Sequence, residues 1–415
     1  MKRKILVFIL SILISPCLAQ LDIDQCHDMA RQQYPLIKQY GLLEKSEAYT
    51  LSNAMKAFLP EVKFSFGANG FTNPTNSSPK TDAMGMGDMK NYLLNGSIQI
   101  NQLIYDGGAI SAQRKLIKAQ AEADKKQLDV RLYEINQRVD QLYFGILMID
   151  EQSKLLKLLQ NDLTLTLNTV QSLMNGGLAN QSDVDAVKVE QLRAVQQESS
   201  LRTSRKSYIQ MLGLFIGKAL DEKTTLDKPT PLPLSKPQGV LRPELSYFAA
   251  QQNLLDTQRK SLTARLLPQL SAFAMGMYHN KVLDMMKPAM LAGGITLSWK
   301  ISPFYTRKND LRSIETKKSM IDQERETFLF NIHLQKEKEQ SVVEDLREKL
   351  KQDDEIIRLR ENIHNVSVTK VQNGIQTINE MLRDVNAVNE ARQQKSIHEI
   401  QLLEAMYQLK NINNN

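Results

Sequence analysis

Side chains able to bind a metal or move a proton are few and far apart in this chain. His27, His279, His333, His364 and His398 are scattered along its 415 residues. None has a second His, a Cys or paired carboxylates at ligand spacing. No nucleophile elbow, P-loop or dinucleotide fingerprint occurs. Gly107-Gly108 follows a run with strand periodicity and lacks the rest of a phosphate loop. Catalysis, a resident cofactor and a metal centre are therefore not expected. The remaining reactive groups are thioethers: Met84, Met86 and Met89 in one cluster, Met285, Met286 and Met290 in another, both in segments read as hairpin loops. Thioether sulfur suits Cu(I), but methionine also fills gaps in flexible apolar surfaces. No metal site is assigned to these loops.

The elements themselves carry more information. Lys2, Arg3 and Lys4 precede an apolar run from Ile5 to Ile14, and Cys17-Leu18-Ala19 offers small residues for cleavage, so residues 1–19 read as a signal peptide. Pro16 sits where a lipoprotein signal wants a small residue, which favours ordinary cleavage near Ala19 and leaves lipidation of Cys17 open. The exported chain keeps Cys26 alone, so no intrachain disulfide is expected. Its formal charge of +7 falls by three with the signal, and the dispersed remainder argues against nucleic acid. No later stretch approaches the roughly eighteen apolar residues of a spanning helix.

Two stretches change period from two to helical. Leu94, Gly96, Ile98 and Ile100 alternate with Asn95, Ser97, Gln99 and Asn101 before Gln102–Gly108 leads into a long helix. Ile295, Leu297, Trp299 and Ile301 alternate with Thr296, Ser298, Lys300 and Ser302 before Pro303-Phe304 does the same.

In chain order, a first helix is expected from Asp24 to about Phe58, ended by Leu59-Pro60. A strand follows with Val62, Phe64, Phe66 and Ala68 on its apolar row, then a loop from Asn69 to Lys90 and the return strand. The helix from Gly108 to Met174 carries a heptad seam at Leu128, Leu132, Ile135, Val139, Leu142, Ile146 and Ile149. Its length is on the order of 100 Å at the rise of an α-helix. It breaks at Asn175-Gly176-Gly177, and a second helix runs from about Ser182 to Gly217, with Ser182 or Asn180 as cap.

Five prolines mark Thr224 to Pro243 as a linker. Beyond it the plan repeats: a helix from Glu244 to Leu266 ended by Leu267-Pro268, a hairpin (Gln269–Tyr278 and Gly293–Ser302), a helix from about Thr306 to Gln372, a break at Asn373-Gly374, and a last helix to Leu409. The organisation read from this is a signal peptide (1–19), a first repeat (20–223), a linker (224–243), a second repeat (244–410) and a polar tail (411–415). Four strands are too few to close a barrel, and open edges cannot sit in lipid, so several copies are expected to share one barrel.

In this order the motifs resemble the TolC family of outer membrane efflux proteins. The resemblance rests on the two Leu-Pro lead-ins, the Gln102-Leu103-Ile104-Tyr105-Asp106-Gly107-Gly108 exit, the helix breaks and the restart at Leu241-Arg242-Pro243-Glu244-Leu245. It implies a fold of α plus membrane β, internally duplicated. Two hairpins per chain would contribute to a homotrimeric twelve-stranded barrel, continuous with a long α-helical periplasmic coiled-coil tunnel. It also implies a non-enzymatic exit duct in the outer membrane of a Gram-negative-type bacterium, without cofactor or nucleic acid. Its partners would be outer membrane lipid, a periplasmic adaptor (membrane fusion) protein and an inner membrane transporter, in an efflux or type I secretion system.

On the same resemblance, Gly177, Leu178, Ala179, Ser182, Asp183, Gly374, Ile375 and Thr377 form the tip that meets the adaptor. Glu380, Arg383 and Asp384 form a gate at the tunnel's closed end, Arg383 departing from the family's acidic pattern. Glu380 and Arg383 are expected to pair between subunits. Val62, Phe64, Phe66, Ile98, Ile100, Ile295, Leu297, Trp299 and Ile301 would face lipid. Two other classes stay open: a periplasmic coiled-coil adaptor or scaffold, against which the regular apolar strand rows argue, and a passive porin, against which the long helices argue.

Overall fold

The structure is a computed structural model that describes residues 21–70, 92–230, 240–280 and 288–413. The clusters at Met84–Met89 and Met285–Met286, and the signal segment, lie outside the described residues. The chain forms two compact units. One, the helical unit, draws its described residues from Met1–Ile37, Asp129–Pro243 and Thr327–Asn415; the other, which holds the sheet, draws them from Lys38–Leu128 and Glu244–Glu326.

The element order is α1 (Ile23–Gln33), a 3-10 turn (Pro35–Lys38), α2 (Gln39–Lys56), β1 (Glu61–Gly70), β2 (Tyr92–Tyr105), α3 (Ala109–Asn175) and α4 (Gln181–Ile216). Then come α5 (Pro243–Ala264), β3 (Gln269–His279), β4 (Ala289–Ser298), α6 (Ser302–Gln372) and α7 (Ile378–Asn413). The chain is thus mostly helical with a few antiparallel strands. α3 and α6 run uninterrupted for 67 and 71 residues, and α4 and α7 for 36 each. Among the described residues no helix is long and apolar enough to cross a membrane.

Several boundaries differ from the sequence reading; the last helix, for one, runs to Asn413 rather than Leu409. The single helix expected from Asp24 to Phe58 is broken, because Pro35 drives Tyr34 into extended geometry (ψ 132°). This is the same steric rule that stops α2 before Leu59-Pro60. The last strand begins at Ala289 rather than Gly293 and ends at Ser298 rather than Ser302. α6 has already started at Ser302, since Pro303 fits the first turn of a helix, where no N–H is needed. Trp299 and Ile301 therefore lie in the strand-to-helix connector and not in the strand. The Trp299 indole N–H donates to the Leu266 carbonyl at 2.9 Å and its ring stacks edge-on to Phe304.

In the sheet-bearing unit the strands form one open antiparallel sheet in the order β1-β2-β3-β4. Register decides the faces. Phe64 pairs with Ile98, Ile98 with Gly276 and Gly276 with Leu291, all on one side. Val62, Phe66, Ile100, Ala274, Ile295 and Leu297 share that side. This face is bare: Phe66 is 87% exposed, Leu291 89% and Ile295 71%. Lys63, Ser65, Asn95, Ser97, Gln99 and Asn101 occupy the opposite face on β1 and β2.

Asp106 makes the turn out of β2. Its carboxylate accepts from the N–H groups of Gly108 and Ile110 and so caps α3. Gly107 has φ +68°, and a β-carbon there would sit 2.7 Å from the Leu267 β-carbon and 3.2 Å from the Ala264 carbonyl. Glycine is required for both reasons.

In the helical unit, the seam read from sequence is buried at Ile135, Val139, Ile146 and Ile149. Tyr143 is fully buried with its hydroxyl within 2.7 Å of the Leu21 carbonyl and 2.6 Å of the Asp227 carbonyl. Burial pushes its phenol pKa well up. Nearby, the His27 Nε2 lies 2.6 Å from the Asp140 carboxylate, tying α1 to α3.

Candidate functional site

The α3–α4 and α6–α7 breaks are built alike. Each long helix ends in a left-handed glycine, Gly177 at φ +77° and Gly374 at φ +70°. Gly177 N–H donates to the Met174 carbonyl and Leu178 N–H to the Leu173 carbonyl; Gly374 donates to Val371 and Ile375 to Lys370. This is the Schellman arrangement, which satisfies the last carbonyls of a helix. A cap follows three residues after each glycine. The Asn180 side chain accepts from the N–H groups of Ser182 (2.8 Å) and Asp183 (3.2 Å), and Asp183 accepts from the Asn180 N–H at 3.0 Å. Thr377 Oγ1 accepts from the Glu380 N–H at 3.3 Å while Glu380 accepts from the Thr377 N–H at 2.9 Å. Both are capping boxes.

The two reversals share one core. Val170, Val184 and Val187 from the first pack in the same cluster as Val371, Ile378, Met381 and Val385 from the second, with Ala179 against it. What the core does not use is left outside. Leu178 is 62% exposed and Ile375 74%, each directly after its glycine. Ser182 and Thr377 are also exposed, while Asp183 is half-buried by its cap.

Glu380, Arg383 and Asp384 fall on the first turns of α7. Within this one chain Glu380 is engaged by Thr377, and Arg383 Nη2 lies 3.9 Å from its carboxylate. The backbone and side-chain hydrogen bonds from Thr377 hold the Glu380 carboxyl below its ordinary value, with Arg383 contributing less. Asp384 is reached by the Gln376 amide at 3.5 Å. The pairing with Arg383 expected between subunits thus sits beside a capping role within the chain. The signal was present in Thr377-Ile378-Asn379-Glu380, a capping-box spacing.

The candidate lipid-facing residues group in the sheet-bearing unit. Val62, Phe64, Phe66, Ile98, Ile100, Ile295 and Leu297 lie on its bare apolar face; Trp299 and Ile301 lie just past it. Met290, read as a loop residue, stands in β4. Among the described residues no three His, Cys, Asp or Glu are grouped to hold a metal ion.

The family model described as outer membrane efflux protein matches residues 27–218. Over these residues the chain is similar to the outer membrane efflux protein family. The match runs from α1 to the end of α4, and so includes the first hairpin and the first reversal. No curated protein matches the chain by sequence.

Among solved structures, VceC, an outer membrane protein of Vibrio cholerae, superposes with a TM-score of 0.66 at 12% identity, over 95% of this chain and 96% of that one. CusC, a protein that forms a transmembrane channel, gives 0.70 at 10% identity over 95% and 92%. The open state of MtrE, an outer membrane channel of Neisseria gonorrhoeae, gives 0.64 at 12% over 95% and 89%. These likenesses show that the fold of these channels extends through the second half of the chain, beyond the family match.

Proposed function

We propose that the protein is an outer membrane exit duct that passes solutes from an inner membrane transporter and a periplasmic adaptor to the exterior. The observation that carries this reading is the open four-stranded sheet with one predominantly apolar, exposed face. In water such a face and two unpaired edges would be a standing hazard. In a barrel wall the face meets lipid and the edges are satisfied. Three copies would supply twelve strands, and the long helices would form the tunnel. The family match over residues 27–218 supports the same assignment.

On this reading the chain is a signal peptide followed by two repeats (20–223 and 244–410) around the 224–243 linker, with a short tail at 411–415, and it does no catalysis. Leu178 and Ile375, exposed beside their glycines, are the apolar contacts for an adaptor tip, with Gly177, Ala179, Ser182, Asp183, Gly374 and Thr377 shaping the turns. Glu380, Arg383 and Asp384 line the constriction. Because Glu380 also completes the capping box of α7 with Thr377, opening the constriction and loosening the cap are linked.

The test is location and size together. Membranes are fractionated, the protein is extracted in detergent, and the purified species is sized. A trimer in the outer membrane fraction is the expected result. A water-soluble monomer or dimer would overturn the duct and install a periplasmic scaffold in its stead.

A further inference from the structure

The apolar face of the sheet has an answering face of mixed chemistry. On β1 and β2 it is mainly amide and hydroxyl; on β3 and β4 it carries Gln269, Ser271, Thr296 and Ser298 at one end and Phe273, Met275, Met277, His279 and Met290 toward the other. Met277 is the direct cross-strand partner of Met290, and Met275 is the next residue on the same face of β3. Neighbouring strands lie about 4.8 Å apart, and same-face residues of one strand about 6.7 Å. Three unbranched thioethers on adjacent positions of one face can therefore bring their sulfurs around a single ion. Met275 and Met277 are half-buried and Met290 is exposed, so the cluster is open to solutes. The formal charges on this face, Glu61 and Lys63, are on β1, two strands from Met275. The donor set is neutral and soft, which selects a soft monovalent cation over Mg²⁺ or Ca²⁺.

We propose that Met275, Met277 and Met290 form a thioether site for a soft monovalent cation, copper(I) or silver(I). The inference rests on the register of β2, β3 and β4 within one chain and does not depend on the duct reading. His279, on the far side of Met277 from Met275, is too distant from Met275 to complete the same set. Its Nδ1 lies 3.0 Å from the Asn280 carbonyl, so Nδ1 carries the proton. Thioethers do not titrate, which makes the site distinguishable from one built on that imidazole.

The experiment uses the full chain in detergent, silver nitrate in chloride-free buffer, and bound silver counted by native mass spectrometry. The variant is M275L/M277L/M290L, in which leucine keeps the volume. Cys26 is present in both proteins and cancels from the comparison. The parent is expected to retain one more tightly bound silver ion per chain than the variant, equally at pH 7.5 and pH 5, and H279Q is expected to bind like the parent. Should the triple variant fold poorly, M277L alone removes the central ligand and should weaken binding at least tenfold. Equal silver in parent and M277L, or loss of the ion at pH 5 or in H279Q, would overturn the site.

Discussion

Replacing Gly107 and Gly108 by alanine, one at a time, tests how the first strand-to-helix exit is held against the second hairpin. Both glycines have positive φ, +68° and +83°. Each alanine therefore meets the backbone cost of the left-handed region, about 1–2 kcal/mol. Only at Gly107 does the new β-carbon also collide, at 2.7 Å from the Leu267 β-carbon and 3.2 Å from the Ala264 carbonyl. At Gly108 nothing lies within 4 Å. Overpacking of this kind costs about 1–3 kcal/mol. G107A should then lose about 2–5 kcal/mol and G108A about 1–2 kcal/mol.

The reporter is built in: the chain has one tryptophan, Trp299, whose indole donates to the carbonyl of Leu266, next to the displaced residue. Thermal melts of Trp299 fluorescence at one scan rate in detergent should fall several degrees further for G107A than for G108A. The native emission of G107A should also shift to the red. If the two variants melt together with unchanged emission, the collision does not organise this junction.

Other expectations concern the reversals. N180A and T377A should each cost about 1 kcal/mol of local helix stability, seen as faster amide exchange in the first turn of α4 or α7 respectively. Because the Glu380 carboxyl is held below its ordinary value, its stabilisation of α7 is complete above the normal carboxylate range. It is lost as pH falls through the lowered value. Protection factors at Ile378–Met381, corrected for the intrinsic pH dependence of amide exchange, should therefore fall on acidification below that range, and those of E380Q should be the same above and below it. L178E/I375E should leave the melting temperature unchanged, since both side chains are exposed. It should abolish export in cells that depend on this chain, and normal export would refute the tip assignment.

The architecture was legible wherever a period was. The rows Val62-Phe64-Phe66 and Ile98-Ile100 alternate cleanly because one face is apolar, and β1 and β2 appear where the alternation does. The same alternation misled at Trp299 and Ile301, where the pattern continues but Pro303 has already fixed the start of α6. Pro35 is as readable as Pro60: the residue before each proline is driven out of helical geometry. Glu380 was seen as a charge before it was seen as a cap. No local pattern could have revealed that Met277 faces Met290 or that β2 pairs with β3. Register between segments far apart in sequence is fixed by packing across the sheet and not by either strand alone.

One property of the sheet bears on assembly. The strands run β1-β2-β3-β4, each antiparallel to the last, so the two free edges point in opposite directions. The β4 edge of one copy can therefore meet the β1 edge of the next without breaking the alternation, and this holds for any number of copies. Such a junction is head-to-tail: each chain offers one surface and receives a different one. A contact of that type has no self-limiting partner. It ends only if the rotation per copy returns to its start, and otherwise grows into an open filament. The curvature of four strands, rather than any single contact, thus separates a closed ring from a fibre. Substitutions that flatten the sheet should appear first as polymers.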